Sequence, residues 1–275
     1  MNKLASIALI FIGILTLNAQ DYCISGTVID SAQIELENNY TPQVNGIMSL
    51  NRTITLQFHF VLRQDGGLNF DTNQVDNILD EVNLNFRKIG LSFDPGNYKF
   101  ISNFNYLVVK AAANEAEIVS ENQVDNMLNV YVASNLFNID NKQCDAYTYY
   151  PAAKKDMIFI KSGCLNEQTL TQQLGHFLNL YPTHDSTFGA EPVIDSIGRV
   201  TKGDKCYDTP AQPFLLGKVK DCKFTGDQKD YSGDYYIPRT SNFMSAAPVD
   251  CKCRFTREQY IRMINAVLQH KSYLW

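Results

Sequence analysis

Among the side chains of this 275-residue chain that could bind a metal or move a proton, the imidazoles and thiols are few: His59, His176, His184 and His270, together with Cys23, Cys144, Cys164, Cys206, Cys222, Cys251 and Cys253. His176 falls inside an apolar periodicity, Leu170, Leu174, Phe177, Leu178 and Tyr181, that spells a helix. One histidine does not make a zinc site, because such sites take three or four protein ligands. By residue type His176 therefore reads as a hydrogen-bonded packing residue, with a residual, weak metal ligand as the sharper alternative. His184 and Asp185 offer replacement ligands from the loop beyond Pro182, though polar loop residues read first as solvent-facing. Asp204 and Asp208 supply the oxygen donors that calcium prefers in a flexible loop. His59 and His270 have neither a nucleophile nor a ligand beside them, and read as structural or solvent-facing.

The cysteines are assigned by their compartment. Residues 1–20 carry one cation, Lys3, then an apolar run from Leu4 to Leu17, and end at Asn18-Ala19-Gln20. That is the pattern of a signal peptide, too short to span a bilayer. Gln20-Asp21-Tyr22 before Cys23 lacks the small and aliphatic residues of a lipoprotein signal. An exported chain, extracellular or periplasmic, is expected to form disulfides. Cys144 and Cys164 flank Tyr149-Tyr150-Pro151 and a strand at Met157, and closing such a loop would remove about 3 kcal/mol of unfolded-chain entropy, so they are the expected pair. Cys206, Cys222, Cys251 and Cys253 are expected to hold the later part of the chain, and the odd count leaves one thiol over.

Removing Lys3 with the signal leaves 23 Lys and Arg against 29 Asp and Glu, a formal charge of -6, without blocks of either sign. Neither nucleic acid nor a membrane is implied as a partner. Hydrophobic residues make up 45% of the chain, enough for one large core or two lobes around a cleft. Residues 21–53 are weakly patterned and read as a leader crossing the surface. Order is expected from Ile54, where Ile54, Leu56, Phe58, Phe60 and Leu62 alternate with polar residues as in a half-buried strand, placing His59 on the polar face. Val75 to Ile89 has helical spacing closed by Gly90. Leu128–Ala133 and Met157–Ile160 are further strands. Pro182 to Pro238 is irregular, and Thr256-Arg257-Glu258-Gln259 is a capping box opening a last helix.

The stretch from Thr169 to His184, TLTQQLGHFLNLYPTH, resembles the zinc helix of the pappalysin/cytophagalysin family of metzincin metallopeptidases. Three more segments agree in order: Gly203-Asp204 to Asp208-Thr209-Pro210, the Met-turn Asn242-Phe243-Met244-Ser245, and Cys251 with Phe255-Thr256, Gln259 and Arg262-Met263. The resemblance implies an α+β fold, residues 54–275. Its upper lobe, to about 181, holds a twisted mixed sheet and long helices. Its lower lobe, 182–275, is irregular and disulfide-bearing. It also implies a cleft over Met244, floored by His176.

The family's chemistry is not implied with its fold. Gln172 stands at the first zinc-ligand position, Gln173 at the general base, Pro182 at the third ligand, and Ala246 where the family has an oxyanion-steadying Tyr. A neutral amide takes no proton near pH 7, and proline has no donor atom. Asn179, where the family has Gly, still tolerates the left-handed turn. The expectation is an inactive homologue that binds an extracellular protein or peptide in the old cleft, with no cofactor. The rival is an active zinc peptidase with rearranged ligands such as His176 and His184.

Overall fold

In a computed structural model, residues 23–194 and 201–274 are described; the signal segment lies outside them. The upper lobe comprises α1 (Ser31–Asn38), β1 (Arg52–Val61), α2 (Val75–Phe86), β2 (Leu91–Pro95), β3 (Lys99–Ile101), β4 (Val108–Lys110) and α3 (Glu115–Asn122). It continues through β5 (Leu128–Ala133), β6 (Asn135–Phe137), β7 (Gln143–Cys144), β8 (Ala146–Thr148), β9 (Met157–Lys161) and α4 (Glu167–Phe177). After it the elements named among the described residues are the short pair β10 (Val219–Lys220) and β11 (Lys223–Phe224), a 3-10 turn (Val249–Cys251) and the last helix, α5 (Arg257–His270).

The main sheet runs β2-β1-β5-β9-β8, with β3 also on β1. All pairings are parallel except β8 on β9, so β8 is an antiparallel edge. The alternation of β1 does point even-numbered residues one way, yet both faces are covered, as parallel sheets require. Ile54, Leu56, Phe58 and Phe60 pack with Leu79, Val82 and Phe86 of α2, Leu170 and Leu174 of α4, and Met263 and Ile264 of α5. The opposite face carries Tyr131, Tyr147 and Phe159 with Leu136 and Ile118. His59 is thus not on a polar face. It is fully buried, stacked at 4.4 Å on Tyr131, and the row continues through Phe159 to Tyr147 across four strands. Its Nε2 lies 2.8 Å from Asn129 Oδ1, and burial pushes its pKa down to about 4.

Local signals place the helices. Gly90 closes the α2 segment with φ 62°. The α4 N-cap is Asn166, whose side chain accepts from the Thr169 amide. Asn179 takes φ 70° just after α4, and Thr256 and Gln259 form their box at the head of α5.

Two expectations fail. Cys164 pairs with Cys23, not with Cys144, and Cys222 pairs with Cys251. Cys144 and Cys164 belong to opposite core layers of the sheet, and Cys144 is packed so tightly on Gly26 that a methyl there would sit 2.5 Å from its sulfur. Cys144, Cys206 and Cys253 are all free, rather than one thiol. Order, second, does not begin at Ile54: the leader crosses the surface but is docked along it. Gly26 N donates to Ala146 O at 2.7 Å and Asp145 N to Ile24 O at 2.9 Å, with Ser25 bridging Ala146 in the parallel sense, so residues 24–26 extend the sheet past β8. Next, α1 is capped by Asp30, and at eight residues such a helix is marginal alone. Its partners hold it: Glu37 forms a buried ion pair with Arg262 of α5, and Gln33 Nε2 donates to Asn179 Oδ1 and the Tyr181 hydroxyl, both at 2.7 Å.

Candidate active site

The site forms where α4 meets the turn 242–245. Met244 is fully buried beneath the helix, and a methyl on Gly175 would come within 2.6 Å of its sulfur, which is why that helical position must be glycine. Met244 O accepts from Thr183 N at 3.1 Å, docking the loop after Asn179 onto the turn. The residues named from sequence are therefore brought together: Gln172, Gln173 and His176 on α4, and Pro182, His184 and Ala246 from the loops around it. Gln172, Pro182, His184 and Ala246 share one pocket.

The two glutamines there are committed, and the two histidines only in part. Gln173, wholly buried, accepts from Thr27 Oγ1 and donates to Ser25 Oγ, both at 3.1 Å, so the general-base position is clasped by the leader. Gln172 Oε1 accepts from Lys252 Nζ at 2.8 Å. His176 Nδ1 lies 2.8 Å from Leu180 O, an acceptor, so Nδ1 carries the ring proton and Nε2 is the bare lone pair, without a partner among the described residues. Burial pushes its pKa down to about 4, with Lys252 and His184 adding to the shift. His184 is half-buried rather than solvent-facing, packed at 4.8 Å on Phe214, with Nδ1 unpartnered among the described residues. Burial, then Lys252, also lowers its pKa to about 4.

Lys252 is the residue that sequence reasoning missed. It is 3% exposed, and burial alone takes its pKa down to about 7. Nothing in Cys251-Lys252-Cys253 announces this, since lysine is almost never buried. In the arrangement the resemblance implies, these residues do not fit zinc: the Gln172 amide oxygen already accepts from Lys252, and Pro182 has no donor atom.

Asp204 and Asp208 lie apart from this site. Asp204 Oδ1 accepts from Cys206 N and Thr209 Oγ1, and burial raises its pKa to about 7. Asp208 Oδ2 accepts from Glu258 N at the start of α5. Each keeps one buried oxygen without a partner among the described residues.

No protein family profile matches the chain, and no curated protein is similar to it in sequence. Solved structures do match. One is Tannerella forsythia mature mirolysin in complex with a cleaved peptide, at TM-score 0.54 and 18% identity over 80% of this chain and 91% of that one. Another, a chaperone–substrate complex, reaches TM-score 0.37 and 11% identity over 81% of this chain and 35% of the other, a likeness too weak to argue from. At that identity the first shows the fold alone: this chain shares the α+β architecture of mirolysin.

Proposed function

We propose that this chain, on the metzincin-type fold, is an exported, non-catalytic homologue that binds a ligand in the pocket left at the former active site. The observation that carries the reading is the Lys252–Gln172 contact, which commits the first ligand position to a cation. Gln173 adds to it: the residue at the base position neither titrates near neutral pH nor faces free space, being bonded to Thr27 and Ser25. Two disulfides favour an oxidising compartment. No described helix is long and apolar enough to cross a membrane. The partner in this reading is an extracellular peptide or protein, or a part of one small enough for the pocket.

Elemental analysis of protein purified in metal-free buffer, with a peptide-library digest on the same sample, tests it. The expected outcome is no stoichiometric zinc and no cleavage. Gln173→Glu should rescue nothing, because the Gln172 and Pro182 positions still lack ligands.

A second reading has its own observation, the two unpartnered nitrogens His176 Nε2 and His184 Nδ1. It is a zinc peptidase with rearranged ligands. One tightly held zinc per chain, lost in His176→Ala together with chelator-sensitive cleavage, would establish it instead. For the lower lobe, the half-used carboxylates of Asp204 and Asp208 support a calcium ion. A melting temperature raised by calcium in the native chain but not in Asp204→Asn would bear this out.

A further inference from the structure

The pocket beside α4 has a volume of about 180 Å³, and its walls come from the leader at Ile24 and Ser25, from Pro182 and His184, and from Phe214 and Leu216. Lys252 lines it, and an ammonium has three hydrogens to donate. Its single acceptor among the described residues is Gln172 Oε1, and no carboxylate there pairs with it. Asp185, the one acidic residue of the lining, is turned onto the amide of Thr187 at 2.7 Å. A buried cation served by one neutral oxygen is poorly compensated, and an anion entering the cavity would complete its shell. The unpartnered His184 ring lies in the same lining.

The remaining surface is mixed: Ser25, Thr27 and Ser245 bring hydroxyls, while Phe214 and Leu216, partly exposed at 43% and 37%, form an apolar wall with Ala246 and Ala247. One buried cation with an apolar patch beside it suits a singly charged acid with an apolar side chain. The ligand's length is limited as well. Residues 24–26 already occupy the edge of β8, so an extended chain cannot add itself there, whereas a chain end or a free acid needs only the pocket.

We infer that this pocket binds the carboxylate of a small apolar acid or of a peptide C-terminus, with Lys252 as its counter-ion. The inference rests on the non-catalytic reading of the same site. The test uses the full mature chain and three probes: N-acetyl-leucine, its amide, and an acetylated tetrapeptide ending in leucine. Affinity is read by calorimetry, and the Lys252 side chain by its carbon-13 resonances. N-acetyl-leucine should bind, shift the Lys252 resonances, and outbind the amide at least tenfold. Lys252→Met should weaken the acid at least tenfold and leave the amide unchanged. If that variant does not fold, Leu216→Asp at the exposed rim should discriminate against the acid by repulsion alone. Equal binding of acid and amide, no saturation by the acid at millimolar concentration, or an acid affinity indifferent to both variants overturns the inference. Tetrapeptide binding as tight as that of N-acetyl-leucine identifies a chain terminus; binding of the single acid alone identifies a free metabolite-sized acid. Mass spectrometry of the tetrapeptide sample separates the two levels. Cleavage overturns the non-catalytic reading, whereas an uncleaved tetrapeptide with no binding of either acid overturns the carboxylate site alone.

Discussion

The upper and lower lobes are held together by different means. In the upper lobe most of β1, β5, β8 and β9, nearly all of α4 and one face of α2 are sealed in two core layers, and each fully buried Phe or Leu contributes about 1.5–3 kcal/mol. The lower lobe sends Phe243, Met244, Phe255 and the buried side chains of α5 into the upper core, and away from it has one small cluster of its own, Leu215, Val219, Ala247 and Cys251. The rest of its irregular stretch is held by polar clasps: Asp204 over the Cys206 amide, Asp230 gathering the amides of Val193, Ser232 and Asp234, and Asn242 bonded to Gln259 of α5. The difference shows why the irregular stretch before α5 needs the Cys222–Cys251 staple. A turn-rich segment must satisfy its backbone locally, and it buries too little apolar surface to offset its own ordering entropy.

The largest effect should follow a cut into the upper core. Phe159→Ala removes the centre of the stacked row across the sheet and should cost about 3–5 kcal/mol. Urea unfolding should lose secondary and tertiary signals together; an early transition confined to one signal would break the picture of a single cooperative layer. Next, Cys222→Ser opens a loop whose ends are 29 residues apart. In the chain-entropy model that costs about 3–4 kcal/mol. Hydrogen exchange should accelerate at Lys218, Thr225 and Phe243 while β1 and β5 keep their protection. Uniform acceleration would mean that the lobes open as one.

Acid and base should then separate the lobes by window, each group changing stability by at most about 1.4 kcal/mol per pH unit. His59 has its folded pKa depressed to about 4, so its contribution is full above 6.5 and is lost as pH falls through 4. Lys252, depressed from 10.5 to about 7, makes the fold progressively less stable as pH falls from 10.5 to 7. Asp204, raised from 3.8 to about 7, favours the fold below 3.8 and loses that contribution as pH rises through 7. Melting curves of the native chain, His59→Gln and Lys252→Met in calcium-free buffer should therefore differ in separate ranges. Identical profiles would refute both assignments. The smallest effect belongs to the seam between lobes: Thr256→Ala should cost about 1 kcal/mol through the lost α5 cap, seen as a small drop in the urea midpoint.

The sequence exposed the parts of this molecule governed by short-range rules. Gly90, Asn179 and the Thr256–Gln259 box all lie where backbone geometry narrows the choice of residue. The Thr169–His184 segment and Met244 likewise identified the residues that meet at the site. His59 was misplaced because alternation tells which residues share a face but not whether that face meets water. Lys252 was invisible because its burial depends on a glutamine 80 residues away. The Cys23–Cys164 bond and the docked leader escaped for the same reason, since a partner 141 residues distant leaves no local trace.

The leader also imposes an order in time. Its residues are made before any of their partners: Asp145 and Ala146 on the sheet edge, Gln173 and Asn179 around α4, Arg262 on the last helix. The segment synthesised early must settle late, after nearly the whole chain has emerged. Until then β8 is an unprotected strand edge and Cys23 a thiol without its mate, so the folding intermediate is exposed to pairing with its neighbours for as long as the far end of the chain is unfinished.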